Sequence, residues 1–208
     1  MIEDLDFETY LYISKDKFQI FVLNKKKLKN LYSQELKIDH QFDFKDLNIL
    51  LNFLDKNIYK IEKLIGNFIK NIILIVENEK NLKIDMGIKK SYETSLKQKS
   101  FSSNLIELKD LFKKNYQDQT IMHMCIINYI IDGKRYSSFD TKLINDYFCI
   151  EVSFIAIENK LVFAFDNVLE KYQIKSFSDR KNTGIWVKKE NSVKKVAAIG
   201  IRIKSWIG

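Results

Sequence analysis

Residues 43–76 read DFKDLNILLNFLDKNIYKIEKLIGNFIKNIILIV, and the succession of patterns in this stretch decides the fold. Phe44, Leu47, Leu51, Leu54, Ile58, Ile61, Ile65 and Phe68 recur at alternating steps of three and four, the spacing that lines side chains along one helix face. Asp43 is placed to cap the start of that helix. Asn71 then leads into Ile72-Ile73-Leu74-Ile75-Val76, an apolar run without period, as in a strand buried on both faces. A coiled-coil seam would give the same stripe. The strand that follows at once makes a helix covering a sheet the expected arrangement.

Upstream lies a hairpin. Thr9-Tyr10-Leu11-Tyr12-Ile13 and Lys17-Phe18-Gln19-Ile20-Phe21-Val22-Leu23 are strand-like and flank the turn residues Ser14-Lys15-Asp16. Lys25-Lys26-Lys27 forms a solvated turn, and Leu28 to Ile38 reads as a third strand. Hairpin, long helix and buried strand in succession define an α/β layer.

Downstream, residues 81–103 are polar and carry no assignment. Asn104, with Glu107 three residues on, reads as the cap of a short helix whose apolar face is Leu105, Leu108, Leu111 and Phe112. Ile121 to Ile131 is a long strand ending at the turn Asp132-Gly133. Tyr147 to Ile157 is another, with Phe148, Ile150, Val152, Phe154 and Ala156 on one face. Leu161, Val162, Phe165, Val168, Leu169 and Tyr172 supply a further helix.

The 208 residues, 46 % hydrophobic and 30 % charged, make one ordinary domain or two small ones with a real core. No apolar stretch approaches the roughly 18 residues that a membrane-spanning helix needs. The acidic start, Met1-Ile2-Glu3-Asp4-Leu5-Asp6, is unlike a secretory signal. Cys125 and Cys149 lack metal-ligand spacing, and a reducing, cytoplasmic setting is expected. The net charge of +8 raises nucleic acid or an anionic membrane surface as a partner. However, the basic residues are spread along the chain rather than gathered with stacking aromatics. The chain also has no proline, where average usage gives roughly ten. Abundant Ile, Lys and Asn without proline fit a codon bias towards A and T, so no nucleic-acid partner is expected.

Catalytic constellations are scarce. No phosphate loop, nucleophile elbow, zinc-protease helix or dinucleotide fingerprint occurs. His40 and His123, the two histidines, fall in different elements. Cys125 and Cys149 lie in expected strands, where a thiol packs as a small apolar group. The residues by themselves read as a binding or assembly module.

Residues 121–174 carry a further pattern: Ile121-Met122-His123, then Tyr129-Ile130-Ile131-Asp132-Gly133-Lys134, Glu151-Val152-Ser153-Phe154-Ile155 and Glu170-Lys171-Tyr172-Gln173-Ile174. This resembles the small inserted 1C subdomain of the bacterial cell-division protein family FtsA, although the usual glycine is missing from Tyr172-Gln173-Ile174. The order before it, hairpin, long helix and strand Ile72–Val76, is similar to the first half of that family's actin-like lobe. In actin-like ATPases the first hairpin turn binds phosphate through an Asp-x-Gly pattern, with a lysine shortly after in the FtsA family. Here Tyr12 stands at the aspartate, Ser14 at the glycine and Lys17 at the lysine. The resemblance therefore leaves Lys17 as the one cofactor-binding candidate, in a degenerate phosphate turn. Neither ATP nor Mg is expected to bind, and the family's later nucleotide motifs would lie beyond residue 208.

The tail differs. Thr183-Gly184-Ile185-Trp186-Val187 and Lys195-Val196-Ala197-Ala198-Ile199-Gly200, followed by Arg202 and Trp206, are similar to a core segment of lipoyl(octanoyl) transferase. That resemblance makes Lys195 a catalytic candidate for octanoyl transfer to a carrier-domain lysine, through an acyl-cysteine. The enzyme's Arg-Gly-Gly and Thr-x-His-Gly segments have no counterpart, and no cysteine follows residue 149.

Together these readings set the expectations. The fold is α/β: a partial actin-like (ribonuclease H-like) lobe at 1–83, a three-stranded α+β subdomain at 84–174 and a transferase-like β-hairpin at 175–208. The expected function is that of a non-catalytic divisome adaptor without cofactor or metal. It would contact division proteins or a second copy through residues 84–174, with no nucleic acid and no direct membrane insertion. The alternative is an octanoyltransferase fragment of the lipoate pathway.

Overall fold

A computed structural model of the chain describes residues 7–39, 42–78, 81–91, 98–137, 147–174 and 198–202. They form a mixed α/β structure of two sheets and three helices, divided into two compact units. The described residues of the first unit fall within 7–78, 160–174 and 198–202, and those of the second within 81–159. The helix after residue 159, grouped with the middle block in the sequence reading, thus goes with the first unit.

In the first unit, β1 (Phe7–Ile13), β2 (Lys17–Asn24) and β3 (Lys29–Lys37) form an antiparallel meander. Helix α1 (Asn48–Ile65) then crosses over to β4 (Ile72–Glu77), which runs parallel to β1. The sheet order is β3-β2-β1-β4, extended by β9 (Ala198–Arg202) antiparallel to β4. A meander followed by one helical crossover to a strand parallel to β1 makes an α/β layer with the order of elements that the resemblance implies. The expected hairpin partner of β9, residues 184–187, lies outside the described residues.

Period-two burial fixes the core. Leu11 and Ile13 of β1, Phe18, Ile20 and Val22 of β2, and Ile72, Leu74 and Val76 of β4 are buried on one face. Helix α1 covers that face, and the Phe53 ring lies 6.0 Å from that of Phe18. Ile73 and Ile75 remain half-buried. So β4 is not buried on both faces as expected: the uniform apolar run conceals an alternation that only the one-sided cover of α1 reveals.

The ends of α1 also depart from expectation. The carboxylate of Asp43 accepts the Lys45 N–H at 3.0 Å, and its carbonyl accepts the Asp46 N–H at 3.0 Å. Asp43 therefore closes a separate turn, because a short Asp side chain bonds amides two residues on as readily as it caps a helix. The helix begins only after Leu47, which makes no side-chain cap bond. At the other end Gly66 takes φ 70°, the left-handed conformation that terminates helices, and Phe68 falls outside, 77 % exposed. The buried stripe is Leu50, Phe53, Leu54, Asn57, Ile58 and Ile61, with Leu51 and Ile65 at its margin.

The second unit holds β5 (Leu82–Ser91), α2 (Gln98–Asn115), β6 (Gln119–Ile131), β7 (Lys134–Tyr136) and β8 (Tyr147–Glu158). The sheet order is β5-β8-β6-β7, antiparallel throughout. It has four strands where the sequence reading counts three, because the polar stretch after residue 81 forms the edge strand β5. Phe148, Ile150, Val152, Phe154 and Ala156 are all fully buried, as their alternation predicts. They pack in one cluster with Leu105, Leu108 and Phe112 of α2, and the Phe112 and Phe154 rings stack at 4.8 Å. Asn104 is buried inside α2 rather than capping it, since the helix starts six residues earlier. Asp132 and Gly133, at φ 48° and 79°, make the two-residue turn with both residues left-handed that the twist of an antiparallel hairpin favours.

The chain leaves β8 through Asn159. Its side chain accepts the Thr120 hydroxyl at 2.6 Å and donates to the Gln117 carbonyl at 2.9 Å. Helix α3 (Asn159–Glu170) follows and buries Leu161, Val162, Phe165, Val168 and Leu169. No helix among the described residues is long and apolar enough to cross a membrane.

Candidate functional site

The turn between β1 and β2 is where an actin-like lobe would hold phosphate, and its local geometry follows from Ser14. Burial of this serine, 3 % exposed, obliges its polar atoms to find partners inside the turn. Its N–H donates to the Lys17 carbonyl at 3.0 Å. Its hydroxyl donates to the Asp16 carboxylate, lies 3.1 Å from the Lys17 carbonyl and accepts the Lys17 N–H at 3.2 Å. The turn is tied to the segment after β3 as well. Lys15 O accepts the Phe42 N–H and Asp16 O accepts the Ile38 N–H, both at 2.8 Å. The Ser14 hydroxyl, stabilising the carboxylate, holds the Asp16 carboxyl below its ordinary range.

The two side chains at the other motif positions are also engaged. Tyr12 donates its hydroxyl hydrogen bond to the Glu77 carboxylate at the end of β4. Partial burial, and then that bond, push its phenol above the ordinary value. Lys17 reaches across β2 to Glu35 on β3, Nζ to Oε2 3.3 Å, and lies 5.4 Å over the Tyr12 ring. A shallow hollow of about 410 Å³ adjoins the segment tied to the turn, and Asp39, Asp43 and Asp46 line it together with Lys37. The three carboxylates outnumber that one lysine, so the hollow carries a net negative lining that opposes a nucleotide phosphate.

Lys17 therefore sits at the turn, ion-paired with Glu35 on β3. Glu35 and Glu77 have no signal in the sequence, because they meet Lys17 and Tyr12 only through strand register. His123 lies half-buried in β6. Cys125 pairs in register with Ser153 and Cys149 with Ile130, so the two free thiols stand apart. Burial raises the Cys149 thiol above its ordinary value, which favours its protonated form. Among the described residues no three His, Cys, Asp or Glu side chains converge to hold a metal ion. His40 and Lys195, the latter the catalytic candidate under the transferase alternative, lie outside the described residues.

No protein-family model matches the chain, and no curated protein matches it in sequence. Among solved structures, one similar chain is Cyto-EpsL, the cytoplasmic domain of an inner-membrane component of the type II secretion system of Vibrio cholerae. It matches at 8 % identity and a TM-score of 0.38, over 81 % of this chain and 54 % of that one. Another is a Bacteroides thetaiotaomicron protein with an actin-like ATPase fold and unknown function, at 14 % identity and a TM-score of 0.32, over 82 % of this chain and 53 % of that one. This chain spans about half the length of each.

Proposed function

We propose that the chain is an actin-like adaptor module of the kind the FtsA resemblance implies, working by protein contacts in the cytoplasm and hydrolysing no nucleotide. The observation that supports this reading is the β1–β2 turn, where the Ser14 side chain fills the place of the phosphate-binding glycine and hydrogen-bonds within the turn. In a working phosphate turn the glycine lets backbone amides approach the anion. Here the neighbouring cation, Lys17, is already paired with Glu35. On this reading the partners are division proteins or a second copy of the chain, met through residues 84–174, and not nucleic acid. Calorimetric titration of the full chain with Mg-ATP tests the proposal. No binding heat is expected, whereas micromolar binding that disappears in Lys17→Ala would overturn it.

A further inference from the structure

Strand β5 forms one edge of the second sheet. Among the described residues its ladder runs to β8 alone, from Leu82 opposite Ala156 to Ser91 opposite Tyr147. Its inner row, Leu82, Ile84, Met86 and Ile88, packs against the core of the unit yet stays half-buried. Its outer row, Lys83, Asp85 and Gly87, is exposed. Lys90 is already held by Glu107, Nζ to Oε2 2.9 Å. Lys83 and Asp85 have no ion-pair partner among the described residues. An edge ten residues long with an apolar flank is a template for another strand.

We propose that two copies of this chain pair β5 with β5, antiparallel about a two-fold axis at Ile84, and so join their four-stranded sheets into one. A two-fold axis makes every pair reciprocal, and the period of two requires like faces to meet. Centring on Ile84 sets Lys83 opposite the partner's Asp85 and Asp85 opposite the partner's Lys83. On the inner face it sets Ile84 against its own copy and Leu82 against the partner's Met86, twice. The neighbouring registers are worse. Centring on Asp85 apposes two carboxylates, and centring on Met86 apposes Lys83 and the partner's Lys89. Centring on Gly87 pairs Asp85 with the partner's Lys89, but lays Ile84 against the partner's Lys90, which Glu107 engages. Opposed charges directly across a strand pair stabilise it and like charges oppose it, so the outer row selects the register while the ladder and inner row hold the pair. Lysines alone on an edge would guard against pairing; the Lys83–Asp85 alternation is instead complementary to itself.

This inference deepens the adaptor reading and rests on it, naming the second copy as the partner and β5 as the surface. Sedimentation velocity of the full chain from about 1 to about 100 µM, a range spanning modest self-association, reads it out. The wild type is expected to dimerise with rising concentration. Asp85→Lys should weaken the dimer by at least about tenfold, and Asp85→Lys with Lys83→Asp should restore it. Unchanged circular dichroism in each variant separates lost pairing from lost folding. Mild oxidation of Ile84→Cys should give a chain-to-chain disulfide. A monomer at every concentration would overturn the pairing, as would a dimer indifferent to Asp85→Lys. Rescue by Lys89→Asp in place of Lys83→Asp would overturn the register. Mg-ATP binding sinks the adaptor reading whatever the mass, whereas a monomer without ATP affinity sinks the pairing alone.

Discussion

The phenol of Tyr12 donates to the carboxylate of Glu77, joining the middle of the first hairpin to the end of a strand 65 residues further along the chain. In an actin-like turn the residue at position 12 would be an aspartate, and an aspartate here would face Glu77 with a second negative charge. Introducing the residues of the actin-like pattern is therefore not expected to create a phosphate site. Tyr12→Asp with Ser14→Gly should lower stability by about 1 kcal/mol or more, through charge repulsion and the lost bond. It should still bind no Mg-ATP, since Glu77, Glu35 and the nearby aspartates stay in place. Urea unfolding and calorimetry on the double variant check both halves. Nucleotide binding gained by these two changes alone would show the turn to be a lapsed site rather than a rebuilt one.

The buried stripe of α1 is testable by truncation. Leu54 is fully buried and Ile58 nearly so, while Leu51 is half-buried at the margin of the stripe. Leu54→Ala and Ile58→Ala should each cost roughly 2–5 kcal/mol, and Leu51→Ala clearly less. Equal losses at all three positions would mean that the helix is rotated from the orientation described. Denaturation midpoints of the three variants decide it.

How far the sequence reaches is clear from these same elements. The three-four stripe of α1 and the alternation Phe148 to Ala156 were legible because each has one apolar face over several turns or rungs. The rotation of α1 was not. Asn57 occupies a buried place, its side-chain oxygen accepting the Tyr32 hydroxyl at 2.6 Å and its amide donating to the Phe53 carbonyl at 2.6 Å. A polar residue satisfied by a strand from another part of the chain looks like a surface residue in the sequence. Strand β5 was legible but passed over: Leu82, Ile84, Met86 and Ile88 alternate with Lys83, Asp85, Gly87 and Lys89, the period of two of a half-buried strand, inside a stretch whose overall polarity reads as loop. At the turn, Lys17 could be found by position, but its ion pair with Glu35 depends on a pairing that register alone sets.

Alkaline conditions should destabilise the chain through Tyr172. Its hydroxyl donates to Asp55 at 2.7 Å and lies 3.3 Å from the Leu51 carbonyl. Burial first, and then the Asp55 carboxylate, push the phenol far above its ordinary value. Above about pH 10 the unfolded chain's phenol loses its proton, while the folded one keeps it. The native state then binds more protons than the unfolded state, so stability falls as pH rises, and the contribution is fully present below about pH 10. Tyr172→Phe should be less stable than the wild type near neutrality and should lose less on going to about pH 11. Tyr12, Tyr32 and Tyr129 shift in the same direction, so some alkaline loss will remain. Urea midpoints across that range test it, and parallel curves for the two proteins would remove Tyr172 from the account.

The end of α3 offers a stabilising substitution. Gln173 sits at φ 59° and closes the helix. Its N–H donates to the Glu170 carbonyl at 2.9 Å, while the Ile174 N–H returns to the Leu169 carbonyl at 3.2 Å. This bond pair is the helix stop that glycine ordinarily supplies, and the buried Leu169 and Ile174 flank it as its apolar contact. An L side chain held in the left-handed region costs roughly 1–2 kcal/mol, part of which glycine gives back through greater freedom in the unfolded chain. Gln173→Gly should therefore raise stability by about 0.5–1 kcal/mol. Gln173→Val, whose branched Cβ is least tolerant of positive φ, should lower it by about 1 kcal/mol or more. Thermal unfolding should rank the three as glycine, glutamine, valine. A valine variant as stable as the wild type would mean that residue 173 is not left-handed in solution and that α3 ends differently.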